Sequence, residues 1–105
     1  MLDCRGEVEI DPNSNWGFRV MILSSSHDIS EGYMGKALKK RVVVHAGAWI
    51  CSGAILYNCE IMENAIVGAG AVVKNIIVPE STRVEGNPAV PVAFFRDGEW
   101  RKVNG

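Results

Sequence analysis

The sequence lacks an excess of charge of either sign. Its 105 residues include 11 Lys and Arg against 12 Asp and Glu, which leaves a formal net charge of -1. Proteins that bind nucleic acid or anionic membranes usually carry a clear excess of basic residues, so we expect neither partner. The sequence also lacks any apolar run of the ~18 residues that a transmembrane helix needs, and its start lacks the apolar segment of a secretory signal. We therefore expect no membrane insertion.

Cysteine is scarce as well, and its spacing gives no support to metal binding. Cys4, Cys51 and Cys59 form no CxxC pair, and an odd number of cysteines cannot all pair within one chain. This pattern favours neither a disulfide framework nor a zinc site, so we expect a cytoplasmic protein without a metal. Cys51 and Cys59 fall inside the repeat described next, where small, semi-apolar side chains pack well.

What the sequence does have is an internal repeat with a period of six residues. Large apolar residues recur at this spacing, and in most units a small or β-branched residue lies two positions earlier. The large series is Ile10, Trp16, Ile22, Val44, Ile50, Ile61, Val67 and Val73. The small series is Val8, Ser14, Val20, Ala48, Ala54, Ala65 and Ala71. A period of six fits neither an amphipathic α-helix nor a simple alternating strand, but it does fit a short strand followed by a turn.

Three such units form one coil of a triangular prism, so the period predicts that residues about eighteen apart stack on one another. The step from Ile50 to Ile61 and the step from Ala54 to Ala65 are both eleven residues, one short of two periods. The missing residue falls near Asn58, which suits a tight bend. The predicted fold class is therefore all-β, a parallel β-helix built from hexapeptide rungs.

The same patterns divide the chain into parts. We assign residues 1–90 to the β-helix domain, with a loop insertion at 28–41, and residues 91–105 to a C-terminal extension. In that extension the Asp97-Gly98 pair lies between two segments with aromatic residues, which predicts a β-hairpin with a two-residue turn. An open end of such a stack exposes apolar side chains and unpaired backbone, so we expect the hairpin to cover one end or to contact a neighbour.

Two segments of the chain resemble a known family. They are VVVHAGAWICSGAILYNCEIMENAIVGAGAVV at 42–73 and VPESTRVEGNPA at 78–89, and they resemble the core of the hexapeptide-repeat acyltransferases. The most similar group is that of the maltose, galactoside and nodulation-factor O-acetyltransferases, and the resemblance covers about residues 3–90. It implies a left-handed β-helix, a homotrimer with active sites between adjacent prisms, acetyl-CoA as co-substrate, and a sugar-like hydroxyl as acceptor. Because the rungs that precede this region in the family are absent, we expect part of the acceptor pocket to be missing.

The reaction implied by the resemblance is the attack of a hydroxyl on a thioester, which needs a base for the hydroxyl proton. A histidine is suited to that task at neutral pH. The family has its catalytic histidine five residues after the last apolar position before the loop, and counting from Ile22 gives His27. A lone histidine beside a loop is more often structural, so this assignment rests on the resemblance. By the same alignment, the backbone N–H of Ser52 is the expected oxyanion donor, and Trp49 the wall of the acyl site.

The resemblance also implies contacts with coenzyme A and with the acceptor. Ala69 matches a small residue along which the pantetheine arm lies, and Lys74 lies where the family's rung ends near the nucleotide. Lys74 is therefore a candidate phosphate ligand, although most exposed lysines are only solvated. Arg5 corresponds to the loop on the acceptor side, where the family often has an acidic residue.

Two other interpretations stay open at this stage. The γ-type carbonic anhydrases share this fold and hold zinc with three histidines. This chain has only His27 and His45, and the insertion between them breaks their register, so we expect no metal and a solvent-exposed His45. The stronger rival is a non-catalytic or truncated hexapeptide-repeat scaffold that serves assembly. Coenzyme A binding separates this rival from the enzyme, because a scaffold needs no groove for pantetheine.

Overall fold

The computed structural model describes residues 7–27 and 30–103. In these ranges the backbone forms fifteen β-strands joined by turns, and none of it is helical. In chain order the strands are β1 (Glu7–Ile10), β2 (Asn15–Trp16), β3 (Met21–Leu23), β4 (Ser25–His27), β5 (Ala37–Lys39), β6 (Arg41–Val44), β7 (Trp49–Ile50), β8 (Ile55–Tyr57), β9 (Cys59–Ile61), β10 (Ile66–Val67), β11 (Val72–Lys74), β12 (Ile77–Val78), β13 (Thr82–Gly86), β14 (Ala89–Arg96) and β15 (Glu99–Lys102). The described part of the chain thus contains no helix long and apolar enough to cross a membrane.

Eleven of these strands form the three faces of a prism. The first face contains β1, β6, β9 and β12, the second contains β2, β7, β10 and β13, and the third contains β3, β8 and β11. Neighbouring strands within each of these three sets are parallel. The chain passes from the first face to the second and then to the third, so that each circuit makes one coil. The predicted parallel β-helix is therefore confirmed.

Residues seventeen apart, rather than eighteen, stack on one another. Trp49 pairs with Ile66, and Ile66 pairs with Arg83. The first and third faces keep the same spacing. Asn58 does form the predicted bend, with a φ of 45°, but Asn75 repeats it one coil later with a φ of 58°. The prediction of eighteen is wrong because the one-residue shortening recurs from coil to coil.

Residues with left-handed backbone stack in register at each corner of the prism. The first corner, after the first face, contains Gly47, Asn64 and Ser81; the second corner, after the second face, contains Arg19, Gly53 and Gly70; and the third corner contains Asn58 and Asn75. At Gly47 a side chain is excluded twice, because φ is 76° and because a Cβ would lie 2.0 Å from Oδ1 of Asn64. At the third corner Nδ2 of Asn58 donates a 2.8 Å hydrogen bond to Oδ1 of Asn75, which joins two coils.

The interior of the prism is filled by the apolar series that the repeat predicts. The fully buried members include Ile50, Ile61, Val67, Val73, Ala48, Ala54, Ala65 and Ala71. Leu56, which the predicted series did not include, is fully buried with them. They form ladders along the prism axis, such as Ile22, Leu56 and Val73 on the third face. Ile10 is 40% exposed although it is in register with buried Val44, because β1 belongs to the first described coil.

A hairpin leaves the prism at the third corner of the first coil. Strands β4 and β5 pair in antiparallel fashion, with Ser26 opposite Leu38. The Lys40 amide donates a 2.6 Å hydrogen bond to the carbonyl oxygen of Ser24, which closes the base of this hairpin. We call residues 25–40 the arm. Strand β5 lies inside the insertion predicted at 28–41 and pairs with β4, which precedes it. The last residue of the predicted insertion, Arg41, already belongs to β6.

The predicted C-terminal hairpin is confirmed. Strands β14 and β15 are antiparallel, with Phe95 opposite Trp100. Asp97 and Gly98 have φ angles of 53° and 81°, as a type I′ turn requires. Strand β14 also pairs with β13, so the hairpin extends the second face to six strands and covers its last parallel strand.

Candidate active site

The second corner brings two of the predicted site residues together. Ser52 follows β7 and Ala69 follows β10, so they occupy the same position in successive coils. The Gly70 amide donates a 3.0 Å hydrogen bond to the carbonyl oxygen of Ser52, which fixes the spacing of these coils. Ser52 and Ala69 are both exposed. The corner therefore presents a narrow, accessible edge of small side chains, against which a slender ligand can lie.

Ser52 is held in place by the preceding coil. The Phe18 amide donates a 2.9 Å hydrogen bond to the Ser52 Oγ. The Phe18 carbonyl oxygen in turn accepts a 2.9 Å hydrogen bond from the Gly53 amide. A Cβ at Gly17 would lie 2.5 Å from both N and Oγ of Ser52, so the close approach of the two coils requires glycine. Within the described ranges the Ser52 amide donates to no protein acceptor.

Trp49 lies on the outer surface of the second face, three residues before Ser52. It is 51% exposed, whereas the next residue, Ile50, is fully buried, because side chains alternate between the two sides of a strand. Its neighbours in the ladder are Asn15 and Ile66. A hollow of about 570 Å³ adjoins the indole and is lined by Asn15, Gly47, Trp49, Asn64 and Ile66.

Lys74 lies away from this corner. It is the last residue of β11 on the third face, where it pairs in register with Tyr57 and precedes Asn75 of the third corner. Its side chain is exposed. A second hollow, of about 630 Å³, opens beside the third corner and is lined by Arg41, Val43, Asn58, Cys59, Glu60, Asn75, Ile76 and Ile77. The contact between Lys74 and a phosphate stays a prediction.

His27 also belongs to the third corner. It is the last residue of β4 in the arm, and its backbone pairs with that of Ala37. The position of its imidazole lies outside what the structure describes, as does the whole of Arg5. Both residue assignments stay predictions.

The candidate residues therefore form two groups on one chain. Trp49, Ser52 and Ala69 belong to the second face and second corner, whereas His27 and Lys74 are associated with the third corner. The third face, at whose far edge Lys74 lies, separates Ser52 and Ala69 from the third corner.

One polar cluster was not foreseen from the sequence. His45 is half-buried rather than solvent-exposed, because its Nε2 lies 2.6 Å from Oε2 of Glu60. Its Nδ1 lies 4.0 Å from Oε1 of Glu63. A period of seventeen would have revealed this cluster. It places Glu60 beside Val43, and His45 lies two residues after Val43 on the same side of the chain. Among the described residues, no three His, Cys, Asp or Glu side chains are grouped to hold a metal ion.

The cysteines near the corners are not activated nucleophiles. Cys59 is buried in the core, as its place in the repeat suggested, and burial raises the pKa of its thiol to about 12. Burial also raises the pKa of the Cys51 thiol; nearby Arg83 lowers this pKa, and Glu85 raises it. Because the thiolate is the reactive form, both raised pKa values leave less of it at neutral pH.

Comparison with solved structures shows which fold this is. The chain matches a maltose O-acetyltransferase from Clostridium difficile with 27% identity and a TM-score of 0.78, over 86% of this chain and 49% of that one. It matches a galactoside acetyltransferase in complex with coenzyme A with 18% identity and a TM-score of 0.79, over 97% of this chain and 55% of that one. A hexapeptide-repeat acetyltransferase from Vibrio cholerae, complexed with acetyl coenzyme A, matches with 18% identity and a TM-score of 0.63, over 86% and 66% of the two chains.

The chain spans about half the length of the first two of these proteins. No family model and no curated protein matches it. The left-handed parallel β-helix is confirmed as the fold, and so is the resemblance to the hexapeptide-repeat acetyltransferases that the sequence indicated.

Proposed function

We propose that this chain, which shares the fold of the hexapeptide-repeat acyltransferases, is an acetyl-CoA-dependent O-acetyltransferase that acts on a sugar-like hydroxyl. The observation that carries the proposal is the second corner. There the exposed Ser52 and Ala69 stack in successive coils beside the exposed indole of Trp49, on a fold that two acetyltransferases share in complexes with coenzyme A or acetyl coenzyme A. The cytoplasm is the proposed location.

In the proposed reaction His27 acts as the general base. Its imidazole accepts the proton of the acceptor hydroxyl while the hydroxyl oxygen attacks the thioester carbonyl carbon. The resulting tetrahedral intermediate then collapses, the C–S bond breaks, and the coenzyme A sulfur takes the proton from the imidazolium. The products are an acetyl ester and free coenzyme A. A general base of this kind contributes about 10² to 10⁴ in rate.

The Ser52 amide is the proposed donor to the oxyanion of the intermediate. Its support is geometric, because Gly17 and Phe18 hold Ser52 rigidly while its N–H has no protein acceptor within the described residues. A preorganised donor of this kind is effective because it needs no rearrangement when charge develops, and loss of one such donor costs about 10² to 10³ in kcat.

The remaining residues are proposed to hold the two substrates. Trp49 covers the acetyl group, the small side chain of Ala69 lets the pantetheine arm lie against the second corner, and Lys74 contacts a phosphate of the nucleotide. Arg5 is the proposed contact to the acceptor.

We further propose a homotrimer in which each site lies between two prisms. The support is the separation of the candidate residues on one chain, with the Trp49, Ser52 and Ala69 group at the second corner and the His27 and Lys74 group at the third. Closed rings bring one surface of a subunit against a different surface of the next, which is the contact that this division requires.

The first experiment measures acetyl-CoA binding through its effect on thermal unfolding. A ligand at a hundred times its Kd stabilises the folded state by about 2.7 kcal/mol, which for a chain of this size raises Tm by on the order of 10 °C. Ala69→Trp, which fills the proposed path of the pantetheine, should abolish the shift. A protein that unfolds cooperatively but shows no shift with acetyl-CoA would favour the scaffold interpretation.

The second experiment separates binding from chemistry. Release of free coenzyme A is measured with a thiol reagent against a panel of sugars. His27→Ala should keep the acetyl-CoA shift and lose transfer. Ser52→Ala is the matched control for the oxyanion donor, since it removes the hydroxyl but keeps the backbone N–H, and it should retain transfer to within about tenfold. Full transfer activity in His27→Ala would refute the proposed mechanism.

A further inference from the structure

The outer edge of the C-terminal hairpin has unpaired backbone in a defined pattern. Strand β15 is the last strand of its sheet, and no described strand lies beyond it. The Val103 amide donates a 3.0 Å hydrogen bond to the carbonyl oxygen of Val92, which fixes the phase of the ladder. Because hydrogen-bonded and non-hydrogen-bonded pairs alternate in an antiparallel ladder, Arg101 and Glu99 also bond to β14. The N–H and C=O groups of Trp100 and Lys102 therefore point outwards, away from the sheet.

The side chains on this edge alternate in a second pattern. Glu99 and Arg101 share one side of the sheet, and Arg101 Nη2 lies 3.2 Å from Oε1 of Glu99. Trp100 lies on the other side, 44% exposed, with its ring in a T-shaped contact with that of Phe95 at a centroid distance of 5.6 Å. The edge thus has an acidic and a basic residue on either side of an exposed aromatic residue.

We propose that this edge pairs with the same edge of a second copy of the chain. The two β15 strands run antiparallel about a twofold axis that passes through the sheet beside Trp100. Trp100 of each copy then exchanges two backbone hydrogen bonds with Trp100 of the partner subunit. On the opposite side of the sheet, Glu99 lies directly across from Arg101 of the partner subunit, and the symmetry repeats this ion pair.

The symmetry and the charges select this register over its neighbours. A twofold axis perpendicular to the sheet keeps each side chain on its own side of the sheet. Directly opposed residues must point to the same side, whereas successive residues alternate, so each residue on the axis must face its own copy. The axis therefore passes beside a residue and not between two residues. If the axis passed beside Arg101, two arginines would lie opposite each other, and if it passed beside Lys102, two lysines would do so. Like charges directly opposite one another destabilise a strand pair. Only the centre at Trp100 combines outward backbone groups with two opposite-charge pairs.

Charged residues at a sheet edge usually prevent such pairing. Here the charges are self-complementary rather than of one sign, so they favour one partner, a second copy in a single register. A four-residue edge buries far less than the roughly 1,200 Å² of a standard interface, so we expect association that increases with protein concentration and weakens as salt is added.

The test is a charge exchange followed by sedimentation analysis of the whole chain, in which edge pairing is measured as association beyond the proposed homotrimer, or beyond the single chain if no trimer forms. Glu99→Arg places two basic side chains opposite each other across the twofold axis, and Arg101→Glu places two acidic side chains there. Each variant alone should weaken association by about tenfold or more. An equimolar mixture of the two variants should restore it, because every cross-strand pair is then of opposite charge. Circular dichroism, together with the tryptophan fluorescence of variants in which Trp16 and Trp49 are replaced by Phe, checks that the hairpin stays folded.

A second pair of variants tests the backbone contribution. In this register Lys102 lies opposite Gly98 of the partner subunit and its N–H points outwards. Lys102→Pro therefore blocks the edge but keeps the bonds between β14 and β15, whereas Lys102→Ala removes only the side-chain charge. Edge pairing requires that the proline variant associates more weakly than the alanine variant. Each of three results would overturn the proposal: wild-type trimers (or single chains, if no trimer forms) that do not associate further up to millimolar concentration, unchanged further association in both charge variants, or a mixture that fails to restore it.

Discussion

Two isoleucines on the first face provide a matched test of the inward and outward alternation on which the fold rests. Ile61 in β9 is fully buried in the prism, whereas Ile77 in β12 is 65% exposed on its outer surface. Ile77 pairs in register with Glu60, the residue before Ile61, so the two isoleucines lie on opposite sides of the same sheet. Replacing each with alanine removes the same atoms from two environments.

The expected costs differ because only one substitution creates a cavity. Three carbons taken from Ile61 forfeit about 2.4 kcal/mol of transfer free energy at about 0.8 kcal/mol each. The cavity adds to this, so Ile61→Ala should lower the free energy of unfolding by about 2 to 5 kcal/mol. Ile77→Ala should change it by no more than about 0.5 kcal/mol.

Urea unfolding of both variants, followed by circular dichroism, measures the difference. The midpoint should fall sharply for Ile61→Ala and hardly at all for Ile77→Ala, with an unchanged slope m in both. Repeating the series at several protein concentrations separates an effect of Ile77 on contacts between copies from its effect on the stability of the single chain. A cost below about 1 kcal/mol for Ile61→Ala, or equal costs for the two variants at every concentration, would refute the alternation.

Two further predictions concern the second corner and the core cysteine. Gly17→Ala puts a methyl group 2.5 Å from the Ser52 N and Oγ. It should therefore lower the free energy of unfolding by about 1 to 3 kcal/mol in the same urea assay, and it should reduce transfer activity by displacing the oxyanion donor. Unchanged stability and activity would contradict the close packing. The Cys59 thiol has a pKa of about 12 in the folded chain against 9.0 for an ordinary thiol, so the unfolded state loses this proton first and the free energy of unfolding should fall as pH rises between these values. The decline contributed by Cys59 should reach at most about 1.4 kcal/mol per pH unit, disappear in Cys59→Ala and persist in Cys51→Ala; equal slopes in the wild type and Cys59→Ala would contradict it.

The fold could be predicted from the sequence because the residues that show the six-residue period are the ones that form the core. Ile50, Val67 and the alanines before them can be recognised without any long-range contact, since each rung repeats the same inward position. The hairpin was predictable for a similar reason, as the Asp97-Gly98 pair favours a type I′ turn by its local backbone preference. The spacing of seventeen was missed because the shortening at Asn58 looks like a single event until Asn75 is aligned with it.

The candidate site could be predicted only in part. Ser52 and Ala69 meet because they occupy equal positions in successive coils, which the repeat determines. The separation of His27 and Lys74 from that corner depends on which prism edge each residue reaches, and this follows from the spacing of seventeen and from the position of the arm. The contact between His45 and Glu60 was missed for the same reason, because it joins neighbouring strands diagonally and a period of eighteen misaligns them.

The most direct test of the central claim asks whether two inactive chains form an active site together. His27→Ala lacks the proposed base, and Ala69→Trp lacks the donor groove, so each variant alone should show no transfer from acetyl-CoA. If the site lies between copies, co-expressed variants that assemble at random give about one intact site in four, and the mixture should recover about a quarter of the wild-type activity. If the wild-type protein transfers the acetyl group but the mixture is as inactive as either variant alone, a site shared between copies is contradicted.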